Sequence, residues 1–269
     1  IVNINCIKRK LITKKNTIII SSNNNNSLTS FSKKNQIPLI THKSFIGGRY
    51  SVFSEVGLFP ISLMGLKIKE FKKNILSYFY GKKRDFLIET CSRISQLYLS
   101  KNINNLIFLS YYPQLDKFLF WCQQLIAESL GKKGIGLLPV ISQAPKDHHS
   151  LLQLYLDGPK DKIFYVISSV QKKGPKIPFN HFGKDFNHLK NKQLEKVVIA
   201  QKNALTKIFR KKNIPYREII IKQKNEKMIG ELFSYFILET VLIGKILNIN
   251  PFNQPSVESV KIETKKNLI

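Results

Sequence analysis

Short β-branched runs alternate with longer segments whose apolar residues recur every three or four positions, and this alternation constrains the fold more than any other property of the chain. The runs at 17–21, 38–41, 105–110, 136–141, 162–169 and 217–222 predict strands. The stretches 85–100, 116–130, 148–156, 189–210 and 226–247 predict helices between and after them. Strand and helix in turn imply parallel strands joined by crossover helices, so the expected class is α/β, a three-layer α/β/α arrangement on a mostly parallel sheet. In open sheets of this kind ligands gather at the carboxyl ends of the strands. Functional side chains are therefore expected just after strands and at the starts of the following helices.

Charge is the next constraint. The 269 residues carry 44 Lys+Arg against 17 Asp+Glu, a formal net charge of +27, yet 43% are hydrophobic. That apolar share excludes a disordered polyelectrolyte and is enough for a substantial core. The basic residues are spread along the whole chain, as in Lys8-Arg9-Lys10, Lys82-Lys83-Arg84, Lys172-Lys173 and Arg210-Lys211-Lys212, and Lys far exceeds Arg. A nucleic-acid surface concentrates its cations and interleaves groups that stack on bases. The expectation is solvated lysine faces and no nucleic-acid partner, with a basic nucleic-acid-binding protein as the weaker alternative.

Cys6, Cys91 and Cys122 have neither zinc spacing nor the density of a disulfide framework, which points to a reducing, cytoplasmic setting. Residues 1–15 lack the pattern of a secretory signal and an initiator Met, so the chain is expected to be part of a longer protein. The apolar run 232–249 is long enough to imitate a membrane helix. Glu239 and Lys245 interrupt it, and a buried helix with no membrane association is expected.

Four segments carry candidate chemistry. Gly47-Gly48-Arg49-Tyr50-Ser51 follows a strand; its glycines admit a ligand close to the backbone, and Arg49 offers a fixed cation at the entrance to a helix. Gln124 and Glu128 are four apart on one helical face, and Gly131 marks the helix end. A carboxylate beside the apolar flank of Leu125 and Ile126 is partly desolvated, as a general base requires. Asp147 is expected to cap a helix that places His149 in its first turn, where the dipole favours a neutral imidazole. Near the end of the chain, Phe252 and Val257 are expected to anchor a turn from which Gln254 and Lys261 present an amide and a cation to an anionic ligand. Each segment alone is also what an ordinary turn or surface helix contains.

Taken together and in order, Gly47-Gly48-Arg49-Tyr50-Ser51, Gln124-Leu125-Ile126-Ala127-Glu128-Ser129, His149-Ser150-Leu151-Leu152-Gln153, and Phe252-Asn253-Gln254 with Lys261 resemble the signature blocks of the glucose-6-phosphate isomerase family. The likeness runs from about residue 17 to the end. It departs at Ser256, where the family has Gly or Ala, and it lacks the Ser/Thr-rich loop with which the family's first domain holds the substrate phosphate.

The resemblance implies a sugar-isomerase (SIS) fold, with residues 1–60 as the back of a first SIS domain, 61–224 as the second, and 225–269 as a C-terminal helical segment carrying Gln254 and Lys261. It implies interconversion of glucose 6-phosphate and fructose 6-phosphate through a cis-enediol(ate), in glycolysis and gluconeogenesis. Glu128 would be the base. His149, assisted by Lys261, would open the sugar ring, and Arg49 would stabilise the enediolate. Gly48, Gln124 and Gln254 would bind substrate. It further implies a homodimer with shared active sites, the histidine coming from the neighbouring subunit, and neither metal nor organic cofactor. The alternative in the same fold is a non-catalytic sugar-phosphate binding module, which would keep Arg49 and Gln254 without needing Glu128 beside Gln124.

Overall fold

A computed structural model of the chain describes residues 7–268 apart from 102, 171–173, 180 and 182, and it has a strand at each of the six β-branched runs. Cys6 and the Lys172-Lys173 pair lie outside the described residues. The chain divides into two compact units, Ile1–Lys73 and Asn74–Ile269.

In the first unit β1 (Ile19–Ser22) pairs in parallel with β2 (Leu39–His42), and α1 (Ser27–Asn35) connects them. The asparagine-rich loop is the start signal of α1. Asn26 Oδ1 accepts from the backbone N–H of Leu28 and Thr29, at 2.9 and 3.1 Å, while the Asn26 N–H donates to Thr29 Oγ1 at 3.0 Å. This reciprocal cap satisfies donors that the first helical turn leaves open. A 3₁₀ turn at Gly48–Phe53 leads into α2 (Glu55–Leu63), which α3 (Ile68–Lys72) follows.

The second unit holds α4 (Gly81–Lys101), β3 (Asn105–Ser110), α5 (Asp116–Leu130), β4 (Leu138–Gln143), α6 (Lys146–Ser150), α7 (Leu152–Asp157), β5 (Lys162–Ser169), α8 (Leu194–Lys211), β6 (Tyr216–Ile221), α9 (Glu226–Ile246) and α10 (Pro255–Lys266). Its four strands are all parallel, in the order β4-β3-β5-β6. Because side chains alternate along a strand, the apolar runs of the central strands β3 and β5 feed two cores at once. On one face Phe108 meets Tyr165 at 5.5 Å between ring centroids and Phe236 of α9 at 5.9 Å. On the other, Phe164 lies 5.0 Å from Tyr155 of α7 and 4.6 Å from Phe209 of α8. This is a three-layer α/β/α sandwich.

The run that imitates a membrane span is the covering helix α9. Its Glu239 is 2% exposed and is neutralised by Arg217 of β6, with Nη1 2.6 Å from Oε2 and Nη2 2.9 Å from Oε1, while Tyr165 Oη donates to Oε1 at 3.1 Å. A buried carboxylate needs this company. No helix among the described residues is long and apolar enough to cross a membrane.

Two helices differ from expectation. The segment 148–156 is two short helices broken at Leu151, and the helix expected from 189 starts at Leu194 after a 3₁₀ turn at Lys184–Leu189. The side chain of Asp147, near the start of α6, turns back to the strand before it. Its Oδ2 accepts from Ser142 Oγ at 2.9 Å and from the Gln143 N–H at 2.7 Å, so it ties α6 to the end of β4 and does not cap a helix.

Candidate active site

Helix α5 buries Leu119, Cys122, Leu125, Ile126 and Leu130, which fixes the roll of its outer face. On that face Gln124 Nε2 donates to Glu128 Oε2 at 3.2 Å, the contact that a four-residue spacing allows, and Glu128 is half-buried. As the crossover between two parallel strands, α5 runs back against them, so Glu128 lies at the amino end of the sheet. The chain turns away at Gly131, whose N–H bonds to Ala127 O at 2.9 Å; a Cβ there would stand 2.7 Å from that oxygen.

The end of α5 is tied to the segment before α10. Lys132 Nζ donates to Ser129 O at 2.9 Å and to Asn250 O at 2.5 Å. Pro251 is buried, and Gly244 of α9 leaves the notch in which it packs: a Cβ on Gly244 would come within 3.2 Å of Pro251 Cβ and 3.3 Å of a Leu130 methyl. Phe252 and Val257 are not the anchors of this turn, being 54% and 39% exposed; the buried Pro251 holds that place. The result is a cleft of about 290 Å³ in which Glu128, Ala127 and Lys132 face Gln254, Ser256 and Val257. Gln254 is the residue that caps α10, outside the helical conformation at φ −148° and ψ 69°. Lys261 is exposed two turns along α10 and is not among the residues lining the cleft.

A half-buried carboxylate steadied by an amide, with an ammonium on its own side and a second amide across a small cleft, is suited to moving a proton between carbon atoms of a polar substrate. The expectation that chemistry collects at the carboxyl ends of the strands does not hold for this group. Gln124, Glu128 and Gln254 sit at the opposite end because helix ends, not strand ends, carry them.

His149 is at the carboxyl end, in the last turn of the five-residue α6, and is exposed. The helix-start dipole argument therefore does not apply to it. The bonded member of the pair is His148, whose Nε2 lies 2.6 Å from Tyr111 Oη. Burial pushes the Tyr111 phenol well above its ordinary range, and burial also holds His148 below the usual imidazole range against the pull of Asp147. Sequence reasoning missed this contact; its only trace is a tyrosine directly after β3. The six-residue β3 and β4 separate His149 from Glu128 by roughly 20 Å of strand rise.

Gly48 and Arg49 belong to the first unit. The 3₁₀ turn that holds them is pinned by Ser51 Oγ donating to Gly48 O at 2.8 Å and Ser54 Oγ donating to Ser51 O at 2.7 Å. Arg49 is 5% exposed, with its guanidinium carbon 5.6 Å from the Tyr50 ring centroid, and a Cβ on Gly48 would meet nothing within 4 Å. Arg49 is thus at the entrance of a helix, as the second residue of the 3₁₀ helix that leads into α2. Among the described residues no three His, Cys, Asp or Glu side chains are grouped to hold a metal ion.

A doubly wound parallel sheet whose crossover helix carries the Gln124–Glu128 pair marks the chain as an α/β protein. In sequence it is similar to glucose-6-phosphate isomerases of several organisms. It is 35% identical to the glucose-6-phosphate isomerase of Campylobacter jejuni over 82% of this chain and 55% of that protein. It is 32% identical to the probable glucose-6-phosphate isomerase of Methanococcus maripaludis over 79% and 49%, and 29% identical to the Methanocaldococcus jannaschii enzyme over 86% and 58%. The chain spans about half the length of the curated relatives it matches. Its fold matches a hypothetical protein from Thermus thermophilus, with TM-score 0.81 and 23% identity over 93% of this chain and 62% of that one. It also matches a glucose-6-phosphate isomerase from Chlamydia trachomatis, with TM-score 0.74 and 17% identity over 93% and 52%. No family model matches the chain.

Proposed function

We propose that the protein interconverts glucose 6-phosphate and fructose 6-phosphate through a cis-enediol(ate), as a cytoplasmic enzyme of sugar breakdown and synthesis. The observation that carries the reading is the cleft shared by Glu128 and Gln254. Glu128 takes the proton from C2 and returns it to C1, while Gln124 steadies its carboxylate and Gln254 orients substrate hydroxyls. Arg49 is assigned the negative charge that develops on the enediolate oxygens, with the Gly48 backbone admitting substrate close by. His149 moves the proton that opens the ring, and Lys261 assists it. Residues 1–60 are assigned to a first SIS domain, 61–224 to the second, and 225–269 to the segment that delivers Gln254 and Lys261. The substrate is a sugar phosphate, and no nucleic acid or membrane takes part.

The separation of His149 from Glu128 supports a homodimer. Within one copy they lie at opposite ends of a sheet, too far apart to act on one hexose, so each site takes its histidine from the neighbouring copy. Assayed in the full-length protein, Glu128→Gln should lower the isomerisation rate by about 10²–10⁴-fold while unfolding is unchanged, since the amide can still meet Gln124. A rate near wild type would remove Glu128 as the base.

A further inference from the structure

We propose, resting on the isomerase reading of the Glu128–Gln254 cleft, that Lys132 is a positioning residue of that cleft. Its ammonium ties the loop that carries Gln254 to the helix that carries Glu128, and so sets the distance across which substrate is held.

The two walls of the cleft are held differently. Glu128 rides α5, which is buried along one face. Gln254 follows a loop. After α9 the chain turns at Asn248, in the left-handed region at φ 54°, and the buried Ile249 donates its N–H to Gly244 O at 2.8 Å. Pro251 is buried, but the described residues from Phe252 through α10 are exposed. A helix that buries none of these side chains gives its own cap little support, so the place of Gln254 depends on the residues just before it.

Lys132 acts on those residues. Its Nζ donates to Asn250 O at 2.5 Å, four residues ahead of Gln254, and to Ser129 O in the last turn of α5 at 2.9 Å, so one ammonium spans both walls. Three N–H donors on one nitrogen suit two carbonyls that approach from different sides. The cation also complements the carbonyls that a helix end leaves open. The backbone of Lys132 is itself fixed: its N–H donates to Ile135 O and its O accepts from the Ile135 N–H, both at 2.9 Å. Lys133 and Gly134 lie between them at φ 56° and 72°, the tight two-residue turn of a hairpin. Just beyond, the Gly136 N–H donates to Tyr98 Oη of α4 at 2.9 Å. A turn this constrained fixes where the side chain starts and leaves its four-carbon stem to supply the reach.

The test is a double-mutant cycle on kcat/KM for isomerisation in the full-length protein, run beside amide hydrogen exchange. Lys132→Met keeps the half-buried stem and removes the donors. It should lower kcat/KM by about tenfold, the scale of a lost hydrogen bond from a charged group, and exchange across residues 249–254 should quicken while that of β3 and β5 is unchanged. In a Gln254→Ala background the same change should cost less than about twofold further, because the tie then has no amide to place. Additive losses, or kcat/KM at wild type with only the unfolding midpoint lowered, would overturn the proposal and leave Lys132 as a cap of α5. Should Lys132→Met not fold, Lys132→Arg, whose planar guanidinium cannot set one nitrogen between the two carbonyls, gives the same cycle with the same two outcomes. Gln254→Ala at the wild-type rate is a different result: it would remove the reading of the cleft itself, and the role of Lys132 with it.

Discussion

At the scale of single residues, spacing was a sound guide where partners lie on one helix and a poor one where they come from elsewhere. The Gln124–Glu128 contact follows from a four-residue separation alone. The role of Asp147 could not be read, because its bonds go back to Ser142 and Gln143 on the strand before it, and a capping pattern does not say which way a carboxylate turns. Of the histidine pair, it is His148 that is half-buried and His149 that is exposed. Since burial holds the folded-state pKa of His148 below its unfolded value, the unfolded chain takes up the proton first on acidification. The stability this gives is complete above the ordinary imidazole range and is lost as pH falls below it toward the lowered folded value. The urea midpoint should therefore drop between pH 7 and pH 5, and drop less in His148→Gln; equal slopes would separate His148 from the effect.

At the scale of elements, the strands were legible because β-branched runs in a sheet buried on both faces leave little latitude, and β3 and β5 fall on the residues expected of them. Breaks within helices were not, because the interruption at Leu151 and the late start at Leu194 are imposed by what surrounds them. How α10 reaches α5 was equally hidden, since it rests on an absent side chain at Gly244. Gly244→Val would drive a branched side chain into Pro251 and Leu130. Overpacking of this kind should cost about 1–3 kcal/mol in chemical denaturation. By displacing Gln254 from Glu128 it should also lower the rate of isomerisation, whereas Gly48→Ala, in open space, should leave stability unchanged.

At the scale of the whole molecule, strand and helix alternation foretold the layered fold, but not the end of the sheet at which each functional side chain would emerge. That depends on whether a residue rides the start or the finish of a crossover. Glu128 finishes one and His149 follows the next strand, which sets them at opposite edges of the second unit. Mixing unfolded Glu128→Gln and His149→Ala chains and refolding them together should restore about a quarter of the wild-type rate, because random pairing of two copies gives half heterodimers with one intact site each. Mixtures no more active than their parents would place both residues in one copy. The proposed sharing of sites would make the rate depend on the protein's own abundance. On that proposal a lone chain would hold no intact set of groups, so below the concentration at which copies separate, the rate per chain should fall as the solution is diluted and recover when it is concentrated.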